Sequence, residues 1–96
     1  MITRIYRVRI KPELRAEFEP LFRTVARASV AECAGCTQVI VGGPTAAAPD
    51  EYGMISVWES DDALRKFAGT DWTIPHVPDG METFVAECWL HHFRHI

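Results

Sequence analysis

The sequence predicts an α+β fold in which two helices cover one face of a four-stranded antiparallel sheet. Three observations lead to this prediction. A strand pattern at residues 52–58 runs almost without a loop into a helical pattern that ends at Gly69. A similar strand and helix open the chain, over residues 2–33. Further strand patterns at residues 36–41 and 83–93 complete the order β-α-β-β-α-β.

The unit at residues 52–69 has clear local boundaries. Ser60 is a residue type typical of a helix N-cap, and Asp61 and Asp62 bring negative charge to the first helical turn, where the helix dipole favours it. Apolar residues then recur at helical spacing between residues 63 and 68. Gly69 supplies the C-terminal stop, so we expect a short helix directly after the strand.

The first half of the chain follows the same rules. Its strand covers Ile2–Ile10, and Lys11-Pro12 ends it because proline cannot donate to a β-ladder. The helical pattern that follows runs to about Cys33 and contains Pro20, which predicts either a kink or a junction between two helices. Gly35 is expected to end this helix in the left-handed conformation. Alternation assigns one face of the strand to Tyr6, Val8 and Ile10, and the other to Ile5, Arg7 and Arg9.

Both faces of the predicted sheet are apolar. In the last three strands the alternating sets are Ile40 against Val39 and Val41, Met54 and Trp58 against Ile55 and Val57, and Phe84, Cys88 and Leu90 against Val85, Trp89 and Phe93. A sheet with one solvated face shows polar residues on that face. We therefore expect the same face of a second copy to cover it, in a homodimer.

Composition narrows the function classes. Hydrophobic residues make up 48% of the 96, in what we predict to be a single domain over residues 1–96. A net charge of −3, without a cluster of Lys and Arg, argues against nucleic acid as a partner. The chain shows neither a signal-peptide pattern nor an apolar run of the roughly 20 residues that a membrane span requires. A cytoplasmic protein without a membrane partner is the expectation.

Three segments resemble the antibiotic biosynthesis monooxygenases, a family of dimeric α/β barrels. They are the first strand ending in Lys11-Pro12, the VWES sequence at residues 57–60 with the helix start after it, and the PDGME sequence at residues 78–82. The resemblance implies a ferredoxin-like fold that pairs into a dimeric α/β barrel. It also implies a cofactor-independent, monooxygenase-like protein that acts on a small aromatic or polyketide-type molecule in a cavity of the barrel, with no metal and no flavin.

The chain departs from the family at two positions. Members often carry a histidine in the second helix and another a few residues later, and the matching positions are Phe67 and Trp72. Haem-cleaving relatives carry an asparagine on the first strand and a tryptophan in the second helix. The matching places in this chain lie near Arg7 and at Phe67, so haem cleavage is not expected.

Two alternative functions stay open: a small-ligand binding or regulatory dimer without turnover, and a barrel isomerase, cyclase or dehydratase.

Two histidines are candidates for a catalytic base. His76 lies between Pro75 and Pro78 in an apolar loop over residues 70–82, and a histidine titrates near neutral pH. We expect this loop to form a wall of the cavity, with His76 at its mouth. His91 is the second candidate; alternation sends it and His92 to opposite faces, so at most one of the two lines a pocket. The loop residues expected to turn inward are Trp72, Ile74 and Val77.

Candidate substrate-binding residues are aromatic or cationic: Tyr6, Arg7, Trp58, Phe67, Trp72 and Trp89. Aromatic side chains in this number would suit a cavity for a flat ring system, and the alternative is that they are core. Arg7 and Arg9 are unusual on an otherwise apolar strand face, and an ion pair, for example with Glu87, is the structural explanation.

Cys33 and Cys36 form a C-x-x-C motif. In redox enzymes such a motif opens a helix, whose dipole lowers the thiol pKa, whereas here it follows one. Zinc would need two further ligands, for which Cys88 and the C-terminal histidines are available. We expect structural cysteines and no bound metal, while a zinc site and a redox pair stay open.

Overall fold

A computed structural model of the chain describes residues 1–75 and 80–96. Its elements are β1 (Ile2–Ile10), a 3₁₀ turn (Pro12–Leu14), α1 (Arg15–Leu21), a π-helical segment (Phe22–Ala26), α2 (Arg27–Ala31), β2 (Cys36–Gly42), β3 (Glu51–Trp58), α3 (Asp61–Ala68) and β4 (Val85–Arg94). The strand order is β2-β3-β1-β4, and neighbouring strands are antiparallel. The predicted ferredoxin-like fold is confirmed.

α1, the π-helical segment and α2 form one helical run over residues 15–31, which we call the long helix. Pro20 lies inside α1, and the wider π turns begin two residues after it. The Thr24 hydroxyl donates to the Pro20 carbonyl oxygen at 2.7 Å. Because proline has no N–H to donate, the helix widens locally rather than dividing into two. The run ends at Ala31, slightly before the predicted Cys33.

Gly35 lies between the long helix and β2 and packs against the first turn of α3. Its φ of +88° is the left-handed conformation predicted for it. Its carbonyl oxygen accepts a hydrogen bond from the Glu59 N–H at 2.8 Å. A Cβ at this position would lie 2.5 Å from the Cβ of Ala63, so the close approach requires glycine. The predicted Ser60 cap of α3 is also present, because the Ser60 hydroxyl accepts from the Ala63 N–H at 3.2 Å.

β4 contains a bulge that the predicted alternation did not include. Arg9 pairs with Glu87 and Ile10 with Val85, which leaves Ala86 as the additional residue. Because side chains alternate with a period of two, one additional residue moves Val85 to the helix-covered face. The prediction that Val85 shares a face with Trp89 and Phe93 is therefore wrong.

The core lies between the sheet and the helices. It consists of Ile2, Val8, Ile10, Phe18, Phe22, Val30, Tyr52, Met54, Trp58 and Leu64. Aromatic contacts hold the long helix on the sheet: the Tyr52 ring on β3 lies 5.0 Å from that of Phe18 and 5.7 Å from that of Phe22. None of the helices that the structure describes is long and apolar enough to cross a membrane.

None of the helices in the described part of the chain covers the other side of the sheet, which we call the open face. Ile40, Ile55, Ile5 and His91 are register partners in successive strands across it. Ile40, Ile55 and Phe93 are 50%, 38% and 60% exposed, so the apolar character predicted for this face is confirmed at these positions. The Arg7 guanidinium lies 4.7 Å from the Trp89 ring centroid and donates to both carboxylate oxygens of Glu51, at 2.8 and 2.9 Å.

Candidate functional site

A cavity of about 490 Å³ lies between the sheet and the helices. This volume is in the range of pockets that hold small organic ligands. Its lining residues are Arg4, Tyr6, Phe18, Leu21, Phe22, Val25, Ala26, Ser29, Val30, Met54, Ser56, Phe67, Ala68, Met81 and Val85. Leu21 and Val25 are 40% and 65% exposed, which places the mouth of the cavity beside the long helix.

The side of the cavity formed by β1 and β3, its floor, carries most of the polar groups. Alternation along β1 turns Arg4 and Tyr6 towards the helices, together with Ile2, Val8 and Ile10. Arg4 is the register partner of Ser56 on β3. Arg4 is 9% exposed and Ser56 is 2% exposed. We call Arg4, Tyr6 and Ser56 the donor cluster.

Arg4 is a buried cation with neutral partners. Its Nη1 donates to the Trp72 carbonyl oxygen at 2.9 Å and lies 3.0 Å from Nε2 of His92. Its Cζ lies 5.6 Å from the centroid of the Phe67 ring. Burial lowers the pKa of Arg4, although arginine keeps its charge at any physiological pH. Across the described part of the chain, no carboxylate oxygen lies within 4.0 Å of this guanidinium.

His92 supports Arg4 from β4. A guanidinium has no acceptor, so Nε2 of His92 must be the acceptor in their hydrogen bond. Burial, followed by the charges of Arg4 and His91, lowers the pKa of His92 to about 4. The imidazole is therefore neutral near pH 7, and its edge packs against the Trp72 ring at 4.8 Å. His92 is not one of the residues that line the cavity.

Tyr6 and Ser56 are neutral donors. The pKa of Tyr6 is raised to about 12, chiefly by burial; Cys88 contributes to the increase and Arg4 opposes it, so the phenol stays protonated at physiological pH. The Ser56 hydroxyl oxygen accepts from Nε1 of Trp58 at 2.8 Å, which leaves its own hydrogen free to donate. The donor cluster therefore presents hydrogens and positive charge to the cavity. Such a surface suits an oxygen atom that carries negative charge.

The structure brings only part of the predicted site together. Tyr6 and Phe67 line the cavity. Trp58 is fully buried behind Phe67, with its ring 5.0 Å away, and Trp72 contributes its carbonyl to Arg4. Arg7, Trp89 and His91 lie on the open face, with the sheet between them and the cavity.

Part of the predicted cavity wall falls on undescribed residues. The candidate base His76, with Val77, lies outside the described residues. Trp72 is partly buried against the core, as predicted, and Met81 lines the cavity; the wall formed by residues 70–82 as a whole stays a prediction. Ile74 is 58% exposed, so the prediction that it turns inward is wrong for the single chain.

Arg4 and Ser56 were absent from the sequence prediction. A signal for Arg4 was available, since the alternation that places Tyr6 and Val8 on the buried face also places Arg4 there. A charged residue at a predicted core position is rare unless it has a partner or a function. Arg7 and Arg9, the two arginines singled out from the sequence, occupy the other face and have carboxylate partners, Glu51 and Glu87.

Within residues 1–75 and 80–96, no group of three or more His, Cys, Asp and Glu side chains is placed to hold a metal ion. The Cys33 thiol donates to the Ser29 carbonyl oxygen at 3.1 Å, and the Cys36 thiol lies 3.7 Å from the Gln38 carbonyl oxygen. Burial raises the pKa of Cys36, which keeps this thiol protonated at neutral pH.

Comparison with known proteins assigns the family. A sequence model of the antibiotic biosynthesis monooxygenases matches residues 1–86, and no curated protein gives a significant match. A Pseudomonas aeruginosa protein superposes with a TM-score of 0.76 at 19% identity, over 99% of this chain and 93% of that one.

Two further structures have a stated activity. The haem degrader MhuD of Mycobacterium tuberculosis gives a TM-score of 0.72 at 18% identity, over 100% of this chain and 96% of that one. SnoaB of Streptomyces nogalater, a cofactor-independent oxygenase, superposes with a TM-score of 0.72 at 18% sequence identity. The match covers 98% of this chain and 91% of that one. At these identities the likeness establishes a shared fold. The match over residues 1–86 goes further: the chain belongs to the antibiotic biosynthesis monooxygenase family.

Proposed function

We propose that the protein is a cofactor-independent monooxygenase that acts on a small aromatic or polyketide-type ring bound in the cavity. The observation that carries this proposal is the combination of largely apolar walls with a donor cluster on the floor. Phe22 and Phe67 offer aromatic surfaces to a flat ring, while Arg4 and Tyr6 meet an oxygen substituent. Family membership supports the class of reaction.

The reaction would use electrons from the substrate itself. A phenolic ring loses a proton, and the electron-rich anion then reacts with O₂. One oxygen atom becomes a carbonyl on a ring carbon, and the other leaves as water with the hydrogen of that carbon and the proton that the ring hydroxyl released. The donor cluster would stabilise the negative charge on the ring oxygen. This electrostatic stabilisation is strongest where an apolar cavity excludes water.

The second candidate is a ligand-binding dimer without turnover. His92 is the observation that favours it. The pKa of His92 is about 4, and its Nε2 already accepts from Arg4, so this nitrogen does not accept a substrate proton near pH 7. The cavity would then bind an anionic ring without a histidine base at this position.

The experiment uses 1,8-dihydroxy-9-anthrone, a tricyclic ring ketone with an acidic methylene group, in buffer with ¹⁸O₂. We expect oxidation to the anthraquinone faster than the spontaneous reaction, with one ¹⁸O atom in the new carbonyl and one O₂ consumed per product. Ala26→Phe fills the cavity from the long helix and should abolish this acceleration. Ala31→Phe places the same side chain at an exposed position of that helix and should leave the rate unchanged.

Other outcomes support the alternatives. Saturable binding of the anthrone without faster oxidation would indicate a binding protein. A rearranged ring without O₂ uptake would indicate an isomerase or cyclase.

We also propose that the protein is a homodimer whose two open faces pack together. Exposed Ile40, Ile55 and Phe93 support this proposal, because burial of large apolar side chains is a main driving force of association. The Arg7 guanidinium lies over the Trp89 ring and pairs with Glu51, and this pairing lowers the energy needed to remove the charge from water.

A further inference from the structure

We propose that the cavity selects the deprotonated form of its ring ligand and that Arg4, Tyr6 and Ser56 hold the ligand's oxyanion. This inference rests on the proposed function in taking the ligand to be an aromatic ring. It adds the charge state that the site recognises and the residues that recognise it.

The first argument is the state of Arg4. A guanidinium has five N–H donors, and only Nη1 bonds to a described residue, namely to the Trp72 carbonyl and to His92. Nε and Nη2 remain for a ligand. A charge that is 9% exposed and has only neutral partners among residues 1–75 and 80–96 is unfavourable by itself, so an anion in the cavity would stabilise it.

The second argument is the geometry of the donor cluster. Arg4 and Ser56 are cross-strand partners, and such pairs have Cα atoms roughly 4.5–5.5 Å apart. Tyr6 is two residues along β1 on the same face, about 7 Å away at the strand rise per residue. The three donor residues thus occupy neighbouring positions on one face of the sheet, and the lining residues that the structure describes include neither Asp nor Glu.

The third argument concerns the surroundings of Arg4. Tyr6 on β1 and His92 on β4 are both neutral near pH 7, and Cys88 is the other titratable side chain that acts on Tyr6. The guanidinium is therefore the dominant charge at the floor. In a largely apolar cavity this charge favours release of a ring hydroxyl proton to the solvent, and the ligand enters the reaction as its anion without a neighbouring base.

The test compares two ligands with one ring system. At neutral pH 2-hydroxy-1,4-naphthoquinone is an anion, and 2-methoxy-1,4-naphthoquinone is its neutral analogue. Binding is followed by quenching of tryptophan fluorescence. We expect the wild-type protein to bind the anion at least about tenfold more tightly than the neutral ring.

Variants locate the selectivity. Arg4→Met should abolish or reverse the preference, with little change for the neutral ring. Tyr6→Phe should lower the affinity for the anion by about threefold or more and leave the affinity for the neutral ligand unchanged. Arg9→Met is the matched control, because Arg9 lies on the same strand but on the open face, paired with Glu87, and it should behave like the wild type.

Equal affinity of the wild type for both ligands, or an unchanged preference in a folded Arg4→Met variant, would overturn the inference. If circular dichroism shows that Arg4→Met does not fold, Tyr6→Phe and Ser56→Ala decide, and an unchanged preference in both would overturn it. The outcome is separable from the oxygenase proposal. Arg4-dependent anion binding without anthrone oxidation would contradict only the oxygenase proposal. Anthrone oxidation without a preference for the anion would contradict only the proposal that the cavity selects the anion.

Discussion

Nη1 of Arg4 donates a hydrogen bond to Nε2 of His92 at 3.0 Å across the β1–β4 pair, where the two residues are register partners. The bond requires a lone pair on Nε2, which places the single proton of a neutral imidazole on Nδ1. Burial and the charge of Arg4 both oppose a second proton, and the pKa of His92 falls to about 4. His92 is thus a neutral positioning residue for the guanidinium.

This pKa predicts a loss of stability in mild acid. The usual pKa of histidine is 6.5, so between pH 6.5 and about 4 the unfolded chain binds a proton that the folded protein does not. The contribution of His92 to stability is therefore present above pH 6.5 and declines as the pH falls towards 4. Urea unfolding at pH 7.5 and pH 5.0 measures it. His92→Gln should reduce the difference between the two pH values, and exposed His95→Gln should not; equal pH dependence in all three proteins would contradict the prediction.

The elements that were predicted correctly depend on local sequence. The N-cap at Ser60 and the left-handed Gly35 each follow from the conformational preference of one residue and its neighbours. The alternation of β1 is likewise local, because its nine residues have no bulge on their own strand. Such features need no knowledge of the partner strand.

The errors concern long-range pairing. The bulge at Ala86 exists only in relation to β1, so the sequence of β4 alone did not indicate that Val85 changes face. The anchoring of Arg4 by the Trp72 carbonyl joins residues 68 positions apart. Trp89 and Phe67 lie on opposite sides of the sheet, so the prediction that both line one cavity is wrong; aromatic composition does not indicate which side a residue faces.

The Gly35 contact predicts a large effect of a small substitution. Gly35→Ala requires a non-glycine residue at φ +88° and brings a Cβ within 2.5 Å of the Cβ of Ala63. We expect a decrease of about 2 kcal/mol or more in the free energy of unfolding. Gly43→Ala is the matched control, because no atom lies within 4 Å of the added Cβ and the backbone is not left-handed. Equal urea midpoints for the two variants would show that the junction with α3 adapts.

The environments of Cys33 and Cys36 lead us to expect that the protein binds no metal. Purified protein should contain no stoichiometric zinc or iron by elemental analysis, because Cys33 and Cys36 donate to backbone carbonyls in different directions, towards Ser29 and Gln38. Alkylation of Cys36 by iodoacetamide at pH 7 should be slow, because burial raises the pKa of its thiol. About one metal ion per chain would reverse the assignment of these cysteines as structural.

The two histidine candidates can be compared directly. If the protein oxidises the anthrone through a histidine base, His76→Ala should lower turnover by roughly 10²-fold, the usual scale for a general base. His91→Ala should leave turnover within about twofold, since the sheet separates His91 from the cavity and proton transfer requires hydrogen-bond reach. A large loss in the His91 variant alone would place the reaction on the open face. Unchanged turnover in both would agree with anion formation assisted by Arg4.

The homodimer prediction is tested at the centre of the open face. Light scattering at micromolar concentration should give twice the mass of one chain. Ile55 pairs with Ile5 and Ile40 in neighbouring strands, so Ile55→Glu places a carboxylate in the middle of the proposed interface. An unpaired charge buried there should weaken the dimer by about 3 kcal/mol or more, which is over a hundredfold in the dissociation constant.

Ile74→Glu is the matched control, because Ile74 is also exposed but belongs to the connection after α3. Phe93→Glu provides a second position at the edge strand β4, where a substitution disturbs the fold less. A monomeric wild type, or a dimer that persists unchanged in both open-face variants, would show that the proposed pairing is wrong.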